Sequence, residues 1–180
     1  MPVTISLYIC SSSDGFIADK SGGVGWLPPM GDEAQKNYED YFASVDMVIM
    51  GSRSYQKVLS FGMGSNYWPY EGKMSWVFTK QDLKLERDDV KVTSEDPVTF
   101  VDRLNAATPP INKVWLMGGA ELTKSFAAAN LIDEVILFTV NKAIGEGIPL
   151  GVDLTPFDQV DEGVMGEEFK FKIYRRKNTA

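Results

Sequence analysis

The sequence predicts an α/β fold built as one domain over residues 1–180, with a mostly parallel central sheet, flanking helices and an antiparallel C-terminal strand. Three observations support this prediction. Short apolar runs alternate with segments of helical periodicity. Two of the apolar runs end in glycine where a helix begins. The last segment, FKFKIYRRK, alternates apolar and basic residues, as a half-exposed strand does.

Composition limits the class of protein. The chain has 180 residues, of which 44% are hydrophobic and 24% charged, values that are ordinary for a globular protein. The net charge of −7 and the pI near 4.7 argue against nucleic-acid binding as the main role. An anionic cofactor remains compatible with this charge, because a local site can be positive inside an acidic protein.

The residue inventory limits the chemistry. The sequence has no histidine and one cysteine, Cys10, so histidine-based catalytic triads, cysteine metal clusters and an intramolecular disulfide are excluded. No metal site is expected. The start of the chain lacks the basic and long apolar regions of a signal peptide, and no run reaches the roughly 20 apolar residues of a membrane span. We therefore expect a cytoplasmic location and no membrane partner.

The predicted elements follow in order along the chain. β-Branched and aromatic content favours strands at VTISLYIC, DMVIMG, MSWVFTK, VKVT, VWLM and IDEVILFTV. Helices are predicted for GDEAQKNYEDYFASV, with Asp32 as candidate N-cap, for SRSYQKVLSF from Ser52, for DPVTFVDRLNAA, opened by Asp96 and Pro97, and for AELTKSFAAAN. Loops are predicted for FIADKSGGVGWLPP, which is expected to be mobile, and for GMGSNYWPYEGK.

Two predicted strands end in glycine at the start of a helix, in VIMGSRSY and in VWLMGGAEL. Glycine lets an anionic ligand approach the backbone, and a helix N-terminus offers free N–H groups. Ligands of open α/β sheets sit beyond the carboxyl ends of strands, so the phosphates of a dinucleotide are a natural occupant. Ser52 and Ser54 would hydrogen-bond phosphate oxygens, and Arg53 would pair with one. The alternative is a tight turn that needs glycine for packing alone, and the GxGxxG fingerprint is absent at both strand ends.

The motifs and their order resemble the dihydrofolate reductase-like superfamily. The resemblance is closest to the C-terminal reductase domain of the riboflavin-biosynthesis deaminase–reductase and its stand-alone relatives. ISLYICSSSDGFIA resembles the family's first strand with its S-x-D-G-x-I-A segment, and DMVIMGSRSYQ resembles its D-x-x-x-M-G-R-x-T-Y stretch. VWLMGGAEL resembles the family's glycine pair, LIDEVILFTV the next strand, GEGIPLG the G-x-G-x-P-L-F hairpin and FKIYRRK the closing strand. The likeness covers nearly the whole chain.

This resemblance implies a reductase that takes hydride from NADPH. Cys10, mainly through its backbone, and Ile17 would flank the nicotinamide, while Thr79 and Lys80 would lie near the adenosine. The GGVGW segment resembles the mobile loop that closes over the nicotinamide and excludes water. The residues implied to hold the pyrophosphate and the adenosine phosphate are Gly51, Ser52, Arg53, Ser54, Gly118, Gly119, Ala120, Glu121 and Leu122.

The sequence departs from the family pattern on both sides of the expected site. Ser52 stands where the family usually has arginine, so a preference for NADPH over NADH depends on Arg53 reading the 2′-phosphate. On the substrate side, the first predicted helix contains four acids, with Lys36 as its only base. Such a helix would repel a phosphorylated substrate.

Two carboxylates are candidates for the catalytic group. Asp32 resembles the carboxylate with which dihydrofolate reductases assist protonation, although its spacing to the next strand is too long; the alternative is a helix N-cap. Asp14 either contacts substrate or forms the turn of its S-x-D-G segment. Because the cofactor carries the hydride chemistry, one such carboxylate or an ordered water suffices for the proton.

Together these features predict an NADPH-dependent oxidoreductase that acts on a small pyrimidine- or pterin-like molecule, of the 5-amino-6-(5-phosphoribosylamino)uracil reductase type in riboflavin biosynthesis. The alternatives are dihydrofolate reductase activity and a dinucleotide-binding protein that does not catalyse. The resemblance also implies a homodimer. The apolar segments LIDEVILF and FKFKIYRRK could expose a sheet edge that a second copy of the chain covers.

Overall fold

The structure, a computed structural model, describes residues 1–62, 68–85 and 87–178. The strands are β1 Thr4–Ser11, β2 Phe16–Ala18, β3 Met47–Gly51, β4 Met74–Phe78, β5 Val90–Thr93, β6 Lys113–Gly118, β7 Glu134–Val140, β8 Ile148–Pro149, β9 Phe157–Met165 and β10 Phe169–Arg176. The helices are α1 Asp32–Ser44, α2 Ser52–Phe61, α3 Pro97–Asn105 and α4 Ala120–Ala128. Part of the predicted loop GMGSNYWPYEGK, residues 63–67, lies outside the described residues.

The chain forms a mostly parallel sheet with helices and antiparallel C-terminal strands, which confirms the predicted fold class. The strands of the larger sheet follow the order β5-β4-β3-β6-β1-β7-β10-β9, and β2 pairs with β8. The chain divides into two compact units. The first unit is Met1–Ile5 with Val45–Leu131, and the second is Ser6–Ser44 with the segment from Ile132 onward. The assignment of residues 1–180 to one domain stays a prediction.

The first unit contains four parallel strands in the order β5-β4-β3-β6. Val48, Ile49 and Met50 of β3 are all fully buried. Burial on both faces explains why this strand is a continuous apolar run without alternation. In the sheet register Gly51, at the end of β3, lies beside Phe78, at the end of β4. The carboxyl ends of these two strands therefore reach the same edge.

The helices of the first unit begin where the sequence predicts. α2 begins at Ser52, directly after β3, and α4 begins at Ala120. α3 begins at Pro97, and the Asp96 side chain accepts a hydrogen bond from the Thr99 N–H at 3.1 Å. Asp96 is therefore a true N-cap, and proline occupies a position where its missing N–H costs nothing.

The second unit combines parallel and antiparallel pairing. β1 pairs in parallel with β7, whereas β10 pairs antiparallel with both β7 and β9. The predicted alternation of β10 is present, since Phe169 is buried and Lys170 and Lys172 are exposed. β9 is not predicted by the sequence. Most of its residues are exposed, and its acids interrupt any apolar periodicity.

α1 in the second unit begins at Asp32, so the prediction of Asp32 as the N-cap is wrong by one position. Gly31 precedes the helix, and its carbonyl accepts the first helical hydrogen bond from the Gln35 N–H at 2.9 Å. Ala34 and Tyr41 are the buried residues of the helix. The core cluster of this unit consists of Trp26, Ala34, Phe138, Val140, Met165 and Phe169.

The segment FIADKSGGVGWLPP, predicted as a loop, contains a strand and a local hydrogen-bonded turn. Its first residues form β2, which pairs antiparallel with β8. Asp19 then accepts hydrogen bonds from the Ser21 and Gly23 N–H groups, each at 2.8 Å. Trp26 is buried. Side chain-to-backbone hydrogen bonds of this kind depend on local chemistry, and residue periodicity does not reveal them.

Candidate functional site

The two glycine-ended strands of the first unit are neighbours in the sheet. β3 and β6 pair in parallel, with Ile49 beside Leu116. The register then shifts so that Met50 lies beside Gly118. The register therefore skips Met117. The starts of α2 and α4 consequently lie side by side at one edge of the sheet.

The two strand ends lie within van der Waals reach of each other. A β-carbon on Gly51 would be 3.8 Å from the Gly119 nitrogen. One on Gly119 would be 3.2 Å from Ser54 Oγ, which is tighter than ordinary contact. Gly118 has a φ of +118°, a conformation that favours glycine. Packing alone therefore explains part of the need for glycine at these positions. A ligand-binding role for these glycines has to be argued from the residues that lie next to them.

Both helix N-termini at this edge lack a side-chain cap within the described part of the chain. The capping residues are Gly51 for α2 and Gly119 for α4, and neither helix has a side-chain hydrogen bond at its cap. The N–H groups of each first turn are left for water or a ligand, and the helix dipole favours an anion there. α3, by contrast, is capped by Asp96. Two adjacent uncapped N-termini are well suited to phosphate groups.

The side chains at this edge differ in exposure and charge. Arg53 is exposed in the first turn of α2, while Ser52 and Ser54 are half-buried. Glu121 is exposed in the first turn of α4 and adds negative charge there. Leu122 is buried, so its predicted contact with a pyrophosphate is restricted to its backbone. Among the side chains in the first turns of α2 and α4, that of Arg53 carries the positive charge that can pair with an anion.

Thr79 and Lys80 follow β4 at the same edge, since the last residue of β4 lies beside Gly51. The Thr79 N–H donates to the Thr93 carbonyl at 2.9 Å. Thr79 Oγ1 accepts a hydrogen bond from the Gln81 N–H at 3.0 Å, which leaves its own proton to donate elsewhere. Lys80 is exposed. The first-unit residues predicted to bind a dinucleotide are thus gathered at neighbouring strand ends.

A buried hydroxyl that residue spacing does not single out lies next to the glycine pair. Thr123, in α4, is fully buried, and its Oγ1 has no hydrogen-bond partner among the described residues. A β-carbon on Gly118 would be 3.8 Å from this oxygen. The sequence indicates the burial of Thr123 only weakly. Thr123 precedes the buried Phe126 by about one helical turn and therefore lies on the same face of α4.

In the second unit, Cys10 is half-buried near the end of β1, and Ile17 is half-buried in β2. Burial raises the pKa of the Cys10 thiol to about 12. The thiol is therefore protonated at neutral pH and is a poor nucleophile. A role for Cys10 through its backbone, which the family resemblance implies, is compatible with this chemistry.

Asp14 joins two segments of the second unit. Its carboxylate accepts hydrogen bonds from Ser12 Oγ at 2.6 Å, from the Ile144 N–H at 3.1 Å and from the Gly145 N–H at 2.8 Å. The bond from Ser12, supported by those from the backbone, lowers the pKa of Asp14. An ionised carboxylate engaged in this way is a poor proton donor. The geometry therefore favours the turn-forming alternative for Asp14.

Asp32 is exposed in the first turn of α1 and lines a shallow cavity of about 410 Å³. Glu33 accepts a hydrogen bond from the Gly166 N–H at 2.9 Å, and Lys36 pairs with Asp40 at 2.7 Å. The one base of the helix is thus already paired with an acid of the same helix. The cavity is lined by Asp32, Glu33, Lys36, Asn37, Asp40 and Met165.

A polar pair between β1 and α1 is a second feature that the sequence does not predict. Tyr8 donates its hydroxyl proton to Asn37 Oδ1 at 2.9 Å. The Tyr8 ring stacks on Tyr41 with ring centroids 4.2 Å apart, and burial raises the pKa of Tyr8 well above its usual value. Because Asn37 Oδ1 accepts the hydrogen bond from Tyr8, the amide N–H groups of Asn37 can donate to other partners. Asn37 lines the same cavity as Asp32.

Within the described residues, no group of three or more histidine, cysteine or acidic side chains is arranged to hold a metal ion. In the same part of the chain, no helix combines the length and apolar character needed to cross a membrane.

The sheet order, the two glycine-ended strands and the antiparallel C-terminal strands define the dihydrofolate reductase-like fold. The structure of dihydrofolate reductase from Enterococcus faecalis, complexed with NADP(H), aligns with a TM-score of 0.68 over 97% of this chain and 97% of that one. Sequence identity in this alignment is 16%, so the likeness shows the fold alone.

The chain belongs to the RibD C-terminal domain family, whose model matches residues 3–173. It is 34% identical over 149 residues to the uncharacterized protein YwjB of Bacillus subtilis strain 168, covering 83% of each chain. The structure of a predicted riboflavin biosynthesis protein from Shewanella sp. PV-4 aligns with a TM-score of 0.84 and 26% identity, over 98% of this chain and 100% of that one. These findings confirm the family resemblance that the motifs predict.

A larger protein contains the same fold as one of its parts. The diaminohydroxyphosphoribosylaminopyrimidine deaminase/5-amino-6-(5-phosphoribosylamino)uracil reductase of Thermotoga maritima aligns with a TM-score of 0.73 and 18% identity. The alignment covers 98% of this chain and 57% of the Thermotoga chain. At this identity too, the likeness shows the fold alone.

Proposed function

We propose that this chain is an NADPH-dependent reductase of a small pyrimidine- or pterin-like molecule, of the 5-amino-6-(5-phosphoribosylamino)uracil reductase type. The observation that carries the proposal is the adjacent pair of glycine-ended strands, β3 and β6, each followed by a helix N-terminus without a side-chain cap. Membership of the RibD C-terminal domain family supports it. When bound, NADPH supplies the hydride.

The first unit would bind the phosphate groups of the dinucleotide. Gly51 and Gly119 leave the first-turn N–H groups of α2 and α4 accessible to phosphate oxygens, and the dipoles of both helices favour those negative charges. Ser52 and Ser54 would add hydroxyl donors. The remaining residues proposed to border the dinucleotide here are Thr79, Lys80, Gly118, Ala120, Glu121 and Leu122.

Arg53 is proposed to read the 2′-phosphate that distinguishes NADPH from NADH. It is exposed in the first turn of α2, and a guanidinium binds a phosphate through two parallel hydrogen bonds. Ser52, which stands in the family's usual arginine position, would make a shorter and uncharged contact. The contacts of Cys10 and Ile17 with the nicotinamide stay predictions.

The charge of α1 bears on the substrate. Its acids are exposed, and Lys36 is paired with Asp40, so this helix offers a phosphorylated substrate no unpaired cation. An uncharged heterocycle is a better match for this surface. The pteridine ring of dihydrofolate is such a heterocycle, so dihydrofolate is a second candidate substrate whose anionic carboxylate tail would have to lie away from α1, with Asp32 as the group that assists protonation.

Asp14 is proposed to be structural, because its carboxylate already holds the Ile144 and Gly145 N–H groups. That leaves Asp32 or an ordered water to deliver the proton. The chain contains no histidine that could do so. The chemistry left to the protein is thus positioning, exclusion of water and one proton transfer.

A titration followed by turnover tests the proposal. NADPH and NADH are added to the purified protein while the fluorescence of its four tryptophans is followed, and we expect micromolar binding of NADPH that is tighter than that of NADH. Oxidation of bound NADPH is then measured with 5-amino-6-(5-phosphoribosylamino)uracil and, separately, with dihydrofolate. Turnover of the first supports the main proposal, and turnover of the second alone supports dihydrofolate reductase activity.

Two outcomes would contradict enzymatic reduction. Binding of NADPH without turnover of either substrate would favour the alternative of a non-catalytic dinucleotide-binding protein. Failure to bind either dinucleotide would remove the reductase proposal and leave the glycine-ended strands as packing features.

A homodimer is also proposed. β9 ends the strand order of the larger sheet, and its Val160 and Val164 are 49% and 63% exposed. An edge strand with exposed apolar residues favours pairing with a second copy. Static light scattering is expected to give twice the 20.0 kDa of one chain, and a mass equal to one chain would rule the dimer out.

A further inference from the structure

Asn37 presents an oriented amide at the cavity beside α1. Its Oδ1 accepts the hydrogen bond from the Tyr8 hydroxyl at 2.9 Å. The Tyr8 ring is itself held by two aromatic neighbours, Tyr41 at a centroid distance of 4.2 Å and Phe138 at 4.9 Å. Because Oδ1 is the atom bound to Tyr8, the amide nitrogen is left for another partner. Asn37 is half-buried and lines the cavity, so this side chain is open to a ligand.

Most of the other polar side chains around this cavity are already engaged within the protein. Lys36 and Asp40 pair with each other at 2.7 Å, and Glu33 accepts a backbone N–H at 2.9 Å. The Asp32 carboxylate and the amide N–H groups of Asn37 have no hydrogen-bond partner among the described residues. The first group accepts hydrogen bonds and the second donates them, so the cavity offers a ligand one acceptor and one donor.

The dimensions of the cavity suit one small ring system. Its volume of about 410 Å³ falls within the range of about 300 to 1,000 Å³ that is usual for small-molecule sites. Asp32 and Asn37 are separated by about 7.5 Å along the helix axis, a distance that one ring and two hydrogen bonds of about 2.9 Å can span. Met165 adds an apolar side chain to the lining, and a thioether packs favourably against an aromatic ring.

We propose that Asn37 determines substrate specificity, with its amide N–H donating to a ring carbonyl of an uncharged heterocycle while Asp32 accepts from an adjacent ring N–H. The proposal rests on the function proposed above and narrows its substrate class to rings that carry a carbonyl beside an N–H. Tyr8 acts as a positioning residue. Without its hydroxyl the amide would be free to turn and to offer Oδ1, an acceptor, to the ligand.

Two probes that differ at one group test this contact. Pterin has the ring carbonyl, and 2,4-diaminopteridine has an amino group in its place. Their dissociation constants are measured by isothermal titration with the full chain, with and without NADPH, at a pH at which both rings are uncharged. The quantity compared between variants is the ratio of the two affinities, in which effects common to both rings cancel.

The variants change the donor and its orientation separately. Asn37→Asp keeps an oxygen for the Tyr8 hydroxyl and replaces the donor with an acceptor, so we expect the preference for pterin over 2,4-diaminopteridine to fall by at least about tenfold. Asn37→Ala removes the amide and should also lower the preference, which gives a second measurement of the same contact. Tyr8→Phe frees the amide to turn and should lower the preference about threefold.

Gln35→Glu is the matched control on the same helix. It makes the same change from amide to carboxylate, but Gln35 is exposed and lies outside the set of residues that lines the cavity. We expect this variant to keep the wild-type preference. A fall equal to that of Asn37→Asp would overturn the proposal, because the effect would then come from the added charge on α1 and not from the contact.

The remaining outcomes separate this proposal from the proposed function. A wild-type preference retained in folded Asn37→Asp and Asn37→Ala proteins would overturn the proposal, as would a wild-type protein that binds neither ring. If that protein still bound NADPH, the cofactor part of the proposed function would stand. Conversely, a chain that binds pterin through Asn37 but binds no dinucleotide would keep this contact and remove the reductase function.

Discussion

Ser54 Oγ lies 3.2 Å from the point where a β-carbon on Gly119 would be. The backbone of Gly119 has φ −74° and ψ −159°, a conformation open to any residue. Glycine is therefore favoured at this position by the space between α2 and the start of α4, and not by backbone geometry. The phosphate proposed to bind the N-termini of α2 and α4 would need the same space. A side chain on residue 119 would lie between that phosphate and the N–H groups of the first turns.

Replacing Gly119 with aspartate should weaken NADPH binding by more than about tenfold, because the new side chain fills this space and places a negative charge at two positive helix ends. Isothermal titration measures the effect. Ser125→Asp adds the same charge on the exposed side of α4 and is expected to bind NADPH normally. An unchanged affinity in folded Gly119→Asp protein would reject the proposed phosphate site.

Replacing Arg53 with glutamine should weaken NADPH binding about tenfold and leave NADH binding nearly unchanged, because only NADPH carries the 2′-phosphate. The difference should shrink as salt is added, since an exposed charge pair is screened. Lys57→Gln, about one turn further along α2, is the control and should affect neither dinucleotide. Equal losses for NADPH and NADH would mean that Arg53 does not read the 2′-phosphate.

The second unit should lose stability in alkaline solution. Burial raises the pKa of the Cys10 thiol to about 12 and raises those of Tyr8 and Tyr41 above their usual value. The folded chain then keeps protons that the unfolded chain releases above pH ~8.5 to ~10. This stability is complete below that range and is lost as the pH rises toward the folded pKa values.

Urea unfolding at a series of pH values from about 7 to about 11 measures this loss. Tyr41→Phe removes one of the buried titrating groups and should make the decline in unfolding free energy less steep. Tyr174→Phe on β10, where the side chain is half-exposed, is the control and should retain the wild-type slope. A wild-type protein whose stability is flat over this range would contradict the prediction.

Replacing Asp14 with asparagine should lower the thermal midpoint, because the carboxylate that holds Ser12 Oγ and the N–H groups of residues 144 and 145 is lost. The pKa of Asp14 is lowered in the folded chain, so its stabilising effect is present above pH ~3.9 and is lost as the pH falls through the folded pKa. Asp158→Asn, which weakens only an exposed pair with Lys177, serves as the control. A variant with unchanged stability and abolished turnover would instead make Asp14 the catalytic group.

Local spacing predicts much of this fold. The apolar run of β3, the starts of α2, α3 and α4, and the alternation of β10 all follow from neighbouring residues. β9 escapes prediction because it lies at a sheet edge with most of its residues exposed, so its strand conformation comes from pairing with β10 and not from an apolar pattern. The N-cap of α1 is misplaced by one residue, because glycine and aspartate are both common at that position.

The sequence by itself determines the family, the α/β class, the absence of histidine chemistry and the presence of two strands that end in glycine before a helix. Each of these depends on residue identity or on spacing within one segment. Only the tertiary structure decides that β3 lies beside β6, that Thr123 Oγ1 is buried with no hydrogen-bond partner among the described residues, and that Asp14 binds the backbone at residues 144 and 145. Those relationships join residues far apart in the chain. They are fixed by the burial of apolar surface and the pairing of backbone groups across the whole fold, which no single segment specifies.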